Sequence, residues 1–432
     1  MSEEKRGALW GRSVKVSGID IFLSHTWKTR GRWKVLSLIF QSGWSFALLC
    51  WATAIALVFV LCEVDILPST SNIEVQVVNF RGLCPLSPWV LIAGILAFFL
   101  GLILSPYIPN LLGKEICFLD VVSINQSDHD LMERGIYGLG GFLSMSKQLR
   151  VLWSPDYLQR LWCVFELAAY RKANPAGKIV LAPLYIEAIV SSTMLGSYAV
   201  VVMFWLTQAM SVRLSFTYAG YILSLIPAYI AFHFLRLCTR QKMQLVAELK
   251  SFDVELAECR SPYDREFVFE GITTWYGSKT AFNDYVRGPL FLELIEPLSR
   301  NQVPAMYWCL LVTPTLTSGF EFFMAIWKGG GTREALLSHF IGVVIGAQLC
   351  WFLVSLKLGF ALCYRFASRS RLDLVKTLLI FLVFVSCVVF GTALATIAYT
   401  SSLNAAIAFT SGAMLIAVFS FEWRRIWRLR YG

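Results

Sequence analysis

Eight stretches of this chain run long enough to cross a bilayer with almost no charge, and no other property constrains its fold as strongly. They cover residues 44–63, 89–107, 194–211, 216–235, 304–327, 337–363, 375–399 and 403–422. A helix needs roughly 20 apolar residues to traverse the hydrocarbon core, so each stretch predicts one span of a polytopic α-helical membrane domain. With 57% of its 432 residues hydrophobic and 15% charged, the chain is too apolar to be one soluble domain. The net charge of +10 does not point to nucleic acid, because no basic run is interleaved with aromatic residues as a stacking platform would need.

The charge distribution instead predicts a topology. The loop Arg365-Phe-Ala-Ser-Arg369-Ser-Arg371 and the tail Arg424-Arg425-Ile-Trp-Arg428-Leu-Arg430 are basic, whereas 65–88 and 400–402 are acidic or neutral. The positive-inside rule then puts both termini and the polar domains on the cytoplasmic side. The first residues, Met1-Ser-Glu-Glu-Lys-Arg, lack an apolar core and are not expected to act as a cleaved signal. Two charges fall within spans, Glu321 and Lys357. They either snorkel to opposite interfaces or line a polar path, which would make the protein a transporter or channel. Of eleven cysteines only Cys62 and Cys84 flank the external loop, as candidates for one disulfide. No C-x-x-C pair or H-E-x-x-H motif occurs and the four histidines are scattered, so no metal site is expected.

The polar segments have a different periodicity. Residues 148–153 read as a buried strand, broken by Ser154-Pro155-Asp156 and followed by a helix over 157 to about 172, with Ser154 or Asp156 as its cap. Ile19-Asp20-Ile21-Phe22-Leu23-Ser24-His25, Glu115-Ile116-Cys117-Phe118-Leu119-Asp120 and residues 179–184 read as further strands. Glycines at 135, 138, 140 and 141 break 131–145 into short helices. Apolar strands alternating with helices imply a parallel sheet covered on both faces. Lys242, Glu248, Lys250, Asp253, Glu255, Glu258 and Arg260 are expected on one amphipathic helix of a cytoplasmic subdomain, which packs on the sheet domain or on the membrane surface.

The stretch from Leu149 to Tyr170 resembles a Toll/interleukin receptor (TIR) domain, whose fourth strand and following helix carry a pattern like V-x-x-S-x-x-Y-x-x-S-x-W-C-x-x-E-L. Ser154, Tyr157, Trp162, Cys163, Glu166 and Leu167 match in order, with Arg160 where the family often has Ser. The strand ending Leu23-Ser24-His25 looks like the family's D-V-F-I-S-H, and the strand ending at Asp120 looks like its second strand. The resemblance covers about a third of the chain and implies a flavodoxin-like TIR fold. The expected division is 1–43 and 109–190 as the two parts of the TIR-like domain, split by a transmembrane hairpin at 44–108. A second hairpin at 191–236, a helical subdomain at 237–303, a four-span bundle at 304–423 and a basic cytoplasmic tail at 424–432 complete it.

Along Leu161 to Ala169 Glu166 is the only charged residue among apolar neighbours, with Trp162 one turn before it on the same face. Desolvation should raise its pKa. The resemblance assigns Glu166 the catalytic role of NAD-cleaving TIR domains, in which one carboxylate stabilises an oxocarbenium-like ribose. NAD is then a substrate rather than a resident cofactor. Ser24, His25 and Trp27 at the end of the first strand, together with Asp120 and Trp162, are the expected substrate-binding residues, because ligands occupy the carboxyl ends of such sheets. Trp27 would stack on a ring of the dinucleotide and Asp120 would orient the neighbouring loop. The plainer readings are a surface acid at Glu166 paired with Arg160 or Lys172, loop-shaping hydrogen bonds from Ser24 and His25, and a structural acid at Asp120. Known TIR enzymes self-associate, which implies a homo-oligomer, and the same fold also serves non-enzymatic signalling scaffolds. This chain departs from the family in lacking a Pro-Gly pair in the loop after the second strand, and in diverting the first helix into the membrane.

Overall fold

The protein is described by a computed structural model over residues 3–108, 115–210, 214–300 and 303–431. The turn expected between the third and fourth spans and the resumption of the polar domain at Lys114 fall at least partly outside these residues. Among them, eight helices are long and apolar enough to cross a membrane: Gly31–Glu63, Trp89–Tyr107, Tyr185–Ala209, Ala219–Lys250, Ala305–Lys328, Arg333–Arg365, Asp373–Ser401 and Leu403–Glu422. Several begin earlier than the apolar windows do. The first helix is continuous from Gly31, through the polar turns that precede its uncharged run, because nothing between Gly31 and Trp44 breaks a helix. The chain is a polytopic helical protein with a small α/β domain.

The strands in chain order are β1 (Ile19–His25), β2 (Ser71–Val77), β3 (Phe80–Leu86), β4 (Cys117–Phe118), β5 (Ser146–Trp153) and β6 (Lys178–Pro183). The chain divides into two units, the first comprising Met1–Ser37, Pro109–Ile186 and Gln241–Ser299 and the second comprising the rest.

In the first unit β4, β1, β5 and β6 form one sheet in that order, every pair parallel. Ile19, Ile21, Phe22 and Leu23 are all buried. A central strand covered on both faces has no solvent side to alternate toward, hence the apolar run interrupted only by Asp20, which pairs with Lys147. Phe22 stacks on Phe118 at 4.5 Å, which pins the short β4 to its neighbour. β5 is the third strand of this sheet in chain order, because the glycine-broken stretch before it forms only the short helices His129–Tyr137 and Leu139–Ser144.

The helix after β5 starts at Leu161 rather than at 157, and neither Ser154 nor Asp156 caps it. Its first free amide is taken instead by a distant carbonyl: Leu161 N–H donates to Glu258 O at 3.0 Å, and Glu258 N–H donates to Gln159 O at 2.7 Å. The polar residues 242–260 do not form one helix either. The helix ends at Lys250, and the Asp253 carboxylate caps a separate turn, Val254–Leu256, by accepting from Glu255 N–H at 3.0 Å. The helix Pro262–Tyr276 then packs on Leu161–Ala173, with Phe165 5.9 Å from Phe267 and 5.5 Å from Trp275, and with Tyr276 Oη donating to Ala168 O.

In the second unit the polar loop 65–88 is a β-hairpin, β2 antiparallel to β3. Its two-residue turn places Val78 at φ 47°, the left-handed region that a β-branched residue rarely occupies. Cys62 and Cys84 are unbridged and belong to separate apolar clusters, so the disulfide expectation is not met. Glu321 is almost wholly buried, and its carboxylate accepts from Leu91 N–H at 2.8 Å, so it caps the first turn of Trp89–Leu104. Lys357 donates to Ser420 O and lies 3.7 Å from the Phe421 ring centre. Arg236, fully buried, pairs with Asp373 at 2.8 Å and donates to Thr377 Oγ1 at 3.0 Å.

Candidate functional site

β4 ends at Phe118 beside Phe22, while β1 runs on to His25. Just past the end of β4 a short helix starts at Asp120, whose carboxylate is held by Trp27 beyond the end of β1. This edge of the sheet opens into a cavity of about 280 Å³ whose lining includes His25, Trp27, Asp120, Arg160, Trp162 and Glu166. Residues distant in the sequence are thus gathered by the parallel topology, in which strand ends converge on one side. Of the residues expected to form the site, His25, Trp27, Asp120, Trp162 and Glu166 all line this cavity. Ser24 does not. It is fully buried beneath the floor and reaches the cavity only through the carboxyl group of Glu166, to which it is hydrogen-bonded.

Glu166 is half-buried in the helix Leu161–Ala173 and holds its Oε2 on the Ser24 hydroxyl. Ser24 Oγ also lies 2.5 Å from Tyr157 Oη. Burial raises the Tyr157 phenol well above its usual pKa, so its proton is always available. The direction of the chain follows: Tyr157 donates to Ser24, and Ser24 donates to an ionised Glu166. Loss of solvation pushes the Glu166 carboxyl up to about 8; the Ser24 hydroxyl pulls it back and the Asp120 charge adds to the rise. The group is therefore mostly protonated at neutral pH while the cavity is empty, and any cation entering the cavity favours its carboxylate.

Asp120 is a hub. Its Oδ2 accepts from Trp27 Nε1–H at 2.5 Å and its Oδ1 accepts from Val121 N–H at 2.7 Å. His25 Nε2 stands 3.7 Å from the same carboxylate, beyond hydrogen-bond distance. Burial holds the His25 imidazole below its usual pKa, opposed by the Asp120 charge, so at neutral pH it is an uncharged ring. Trp27 is half exposed, with one edge of its indole fixed by Asp120. Trp162 is oriented from the other side by donating to Asp264 Oδ2 at 3.3 Å, and it meets Phe165 edge-on at 5.4 Å.

Cys163 also lines the cavity, donating to His25 O at 3.6 Å. Its thiol is raised well above the usual value by burial, which removes it as a nucleophile, since only the thiolate attacks. Among the described residues no cluster of His, Cys, Asp and Glu could hold a metal ion.

The sequence reading weighed Arg160 only as a possible partner of Glu166 and missed its place as the one lysine or arginine in the lining, as it missed the supporting role of Tyr157. Both stand within five residues of Trp162. The Asp264 contact had no sequence signal at all, because it joins segments separated by two long helices. No family model, curated protein or solved structure matches this chain.

Proposed function

We propose that this is a multi-pass membrane protein whose α/β unit is a TIR-like domain that hydrolyses NAD to nicotinamide and an ADP-ribose product. The observation that carries the reading is the Glu166 carboxyl, held by Ser24 and opening on the same cavity as Trp27, Asp120 and Trp162. The flavodoxin-like assignment draws support from the strand order, in which the second strand of the unit lies outside the first and the later strands follow on the other side.

A cavity of about 280 Å³ has room for one end of a dinucleotide, the nicotinamide and its ribose, but not for the whole molecule. In this reading the nicotinamide ring stacks on an indole, and its positive charge drives Glu166 to the carboxylate. The bond between ribose C1′ and the ring nitrogen breaks, and its electron pair leaves with nicotinamide, which becomes neutral. The positive charge moves to the ribose, where Glu166 stabilises it. Water then attacks C1′ and releases one proton. Arg160, at the cavity wall, is the residue placed to meet the negatively charged diphosphate.

The basic segments 365–371 and 424–430 support a cytoplasmic location for this unit and both termini, and membrane tethering would favour pairing between copies. The decisive experiment incubates purified full-length protein with NAD and follows nicotinamide release beside Glu166→Gln. Release by the wild type that Glu166→Gln abolishes supports hydrolysis. No release, or equal release from both, leaves a signalling scaffold.

A further inference from the structure

Glu321 and Lys357, the charges first considered for a polar path, are taken up by backbone groups of neighbouring helices. Other cations of the second unit are not. They stand in the connector between the membrane-length helices Arg333–Arg365 and Asp373–Ser401. These helices lie side by side, with the Phe352 ring 6.5 Å from that of Phe384, and only residues 366–372 join them. So short a link between two adjacent spans stays at the level of the lipid head groups.

The connector sorts its charges. Between Arg365 and Lys376 the only acid is Asp373, and it is turned onto the helix Ala219–Lys250, where Arg236 reaches one carboxylate oxygen at 2.8 Å and Arg240 the other at 2.5 Å. The same two arginines donate to the Phe366, Ala367 and Asp373 carbonyl oxygens at 3.2, 2.8 and 2.8 Å. Ser370 N–H donates to Asp373 Oδ1 at 3.0 Å, and Lys376 Nζ donates to the Ser368 hydroxyl at 3.0 Å. The backbone is therefore clamped from the inside. On its outer side Arg365, Arg369 and Arg371 are exposed, and none has a partner among the described residues. Positive charge alone would suffice to orient the helices; the clamp in addition fixes the backbone that bears three unneutralised guanidinium groups.

The side chains between these arginines indicate the partner. Phe366 is 44% exposed and Leu372 66%, and Leu374 and Val375 are exposed beside them. A soluble polyanion such as RNA would leave these apolar groups in water. A bilayer leaflet takes both kinds of side chain, the apolar ones among the acyl chains and the guanidinium groups at the phosphates. Anionic lipids are concentrated in the cytoplasmic leaflet, the side that the charge of the connector favours. We propose that the clamped connector binds the phosphate head groups of anionic phospholipids through Arg365, Arg369 and Arg371, independent of any chemistry in the α/β unit.

The test uses the full chain in neutral detergent micelles, with native mass spectrometry counting bound lipids as phosphatidylserine or phosphatidylcholine of the same acyl chains is titrated in. The wild type is expected to bind phosphatidylserine at least about tenfold more tightly than phosphatidylcholine. Arg365→Gln, Arg369→Gln and Arg371→Gln together should cut this preference at least about fivefold, each alone should cut it in part, and the melting temperature should not move. Arg12→Gln, Lys15→Gln and Lys178→Gln together remove the same charge from exposed positions of the first unit and should leave the preference intact. No preference in the wild type, a preference that the connector variant keeps, an equal loss in both triple variants, or a loss seen only with a lowered melting temperature would each overturn the proposal. So would displacement of phosphatidylserine by soluble glycerophosphoserine or by an RNA oligonucleotide at matched concentration.

Discussion

Ser24→Ala tests the chemistry of Glu166 without touching the cavity wall. The hydroxyl is the one side-chain hydrogen bond that stabilises the carboxylate, and it is itself held by Tyr157 at 2.5 Å. A hydrogen bond to an ionised group contributes about 1.5–3 kcal/mol, and one pKa unit corresponds to roughly 1.4 kcal/mol. Removing it should therefore lift Glu166 from about 8 by roughly one to two units. At pH 7.5 about a quarter of the wild-type carboxyl is ionised, against a few per cent or less in Ser24→Ala, so kcat/KM for NAD should fall about 10-fold to 100-fold. The assay is nicotinamide release across pH 6 to 10. Wild-type kcat/KM should climb tenfold per pH unit and level off near 8, whereas the variant should keep climbing and recover most of its deficit at the alkaline end. Because bound nicotinamide is cationic, the profile of kcat should level off at lower pH than that of kcat/KM. A deficit of the same size at pH 6.5 and pH 9.5 would refute the reasoning, because Ser24 would then be acting on the fold and not on the proton.

Other perturbations probe separate contacts. Asp120→Asn removes a neighbouring negative charge, so the Glu166 profile should move to lower pH by a fraction of a unit, while loosening of Trp27 raises KM; pH-resolved kinetics read both. Glu166 binds its proton more tightly folded than unfolded, so stability should fall as pH rises from 4.5 to about 8, by at most roughly 1.4 kcal/mol per unit, a slope that Glu166→Gln removes from melting curves. Arg236→Ala removes one of the two arginine partners of Asp373, which keeps Arg240, and empties a fully buried position in the bundle, so it should lower the melting temperature more than Arg240→Ala does. Lys328→Ala, which breaks a pair with the exposed Asp65, should leave the melting temperature nearly unchanged. Digests run with and without reductant should give the same peptides for Cys62 and Cys84.

What the sequence made legible follows the range of the interactions involved. β1, β5 and β6 announce themselves by the short apolar runs Ile21–Leu23, Val151–Trp153 and Ile179–Ala182, which burial on both faces demands and which are visible within one strand. The helices were legible for the same local reason. Cavity residues such as Glu166 and Trp162 were recoverable because one motif carries both. The hairpin was overlooked although Ile73, Val75 and Val77 alternate with Asn72, Glu74 and Gln76 around a Val78-Asn79 turn. A β-branched residue in a left-handed conformation is a turn that composition argues against, and its neighbours read as an ordinary polar loop. The start of the helix at Leu161 was misread because its cap is the Glu258 carbonyl. No local pattern encodes a backbone acceptor that far along the chain.

The order of strands in the sheet also governs the order of synthesis. β1 lies between β4 and β5, yet two long helices must be threaded before either neighbour emerges from the ribosome. At roughly 5–20 residues per second it waits several seconds as an unpaired strand. The carbonyl that caps the Glu166 helix and the carboxylate that fixes Trp162 come later still, at Glu258 and Asp264. A nascent chain truncated before that point would carry only the first four of the eight membrane-length helices and lack a finished pocket, so incomplete translation leaves this unit tethered but silent.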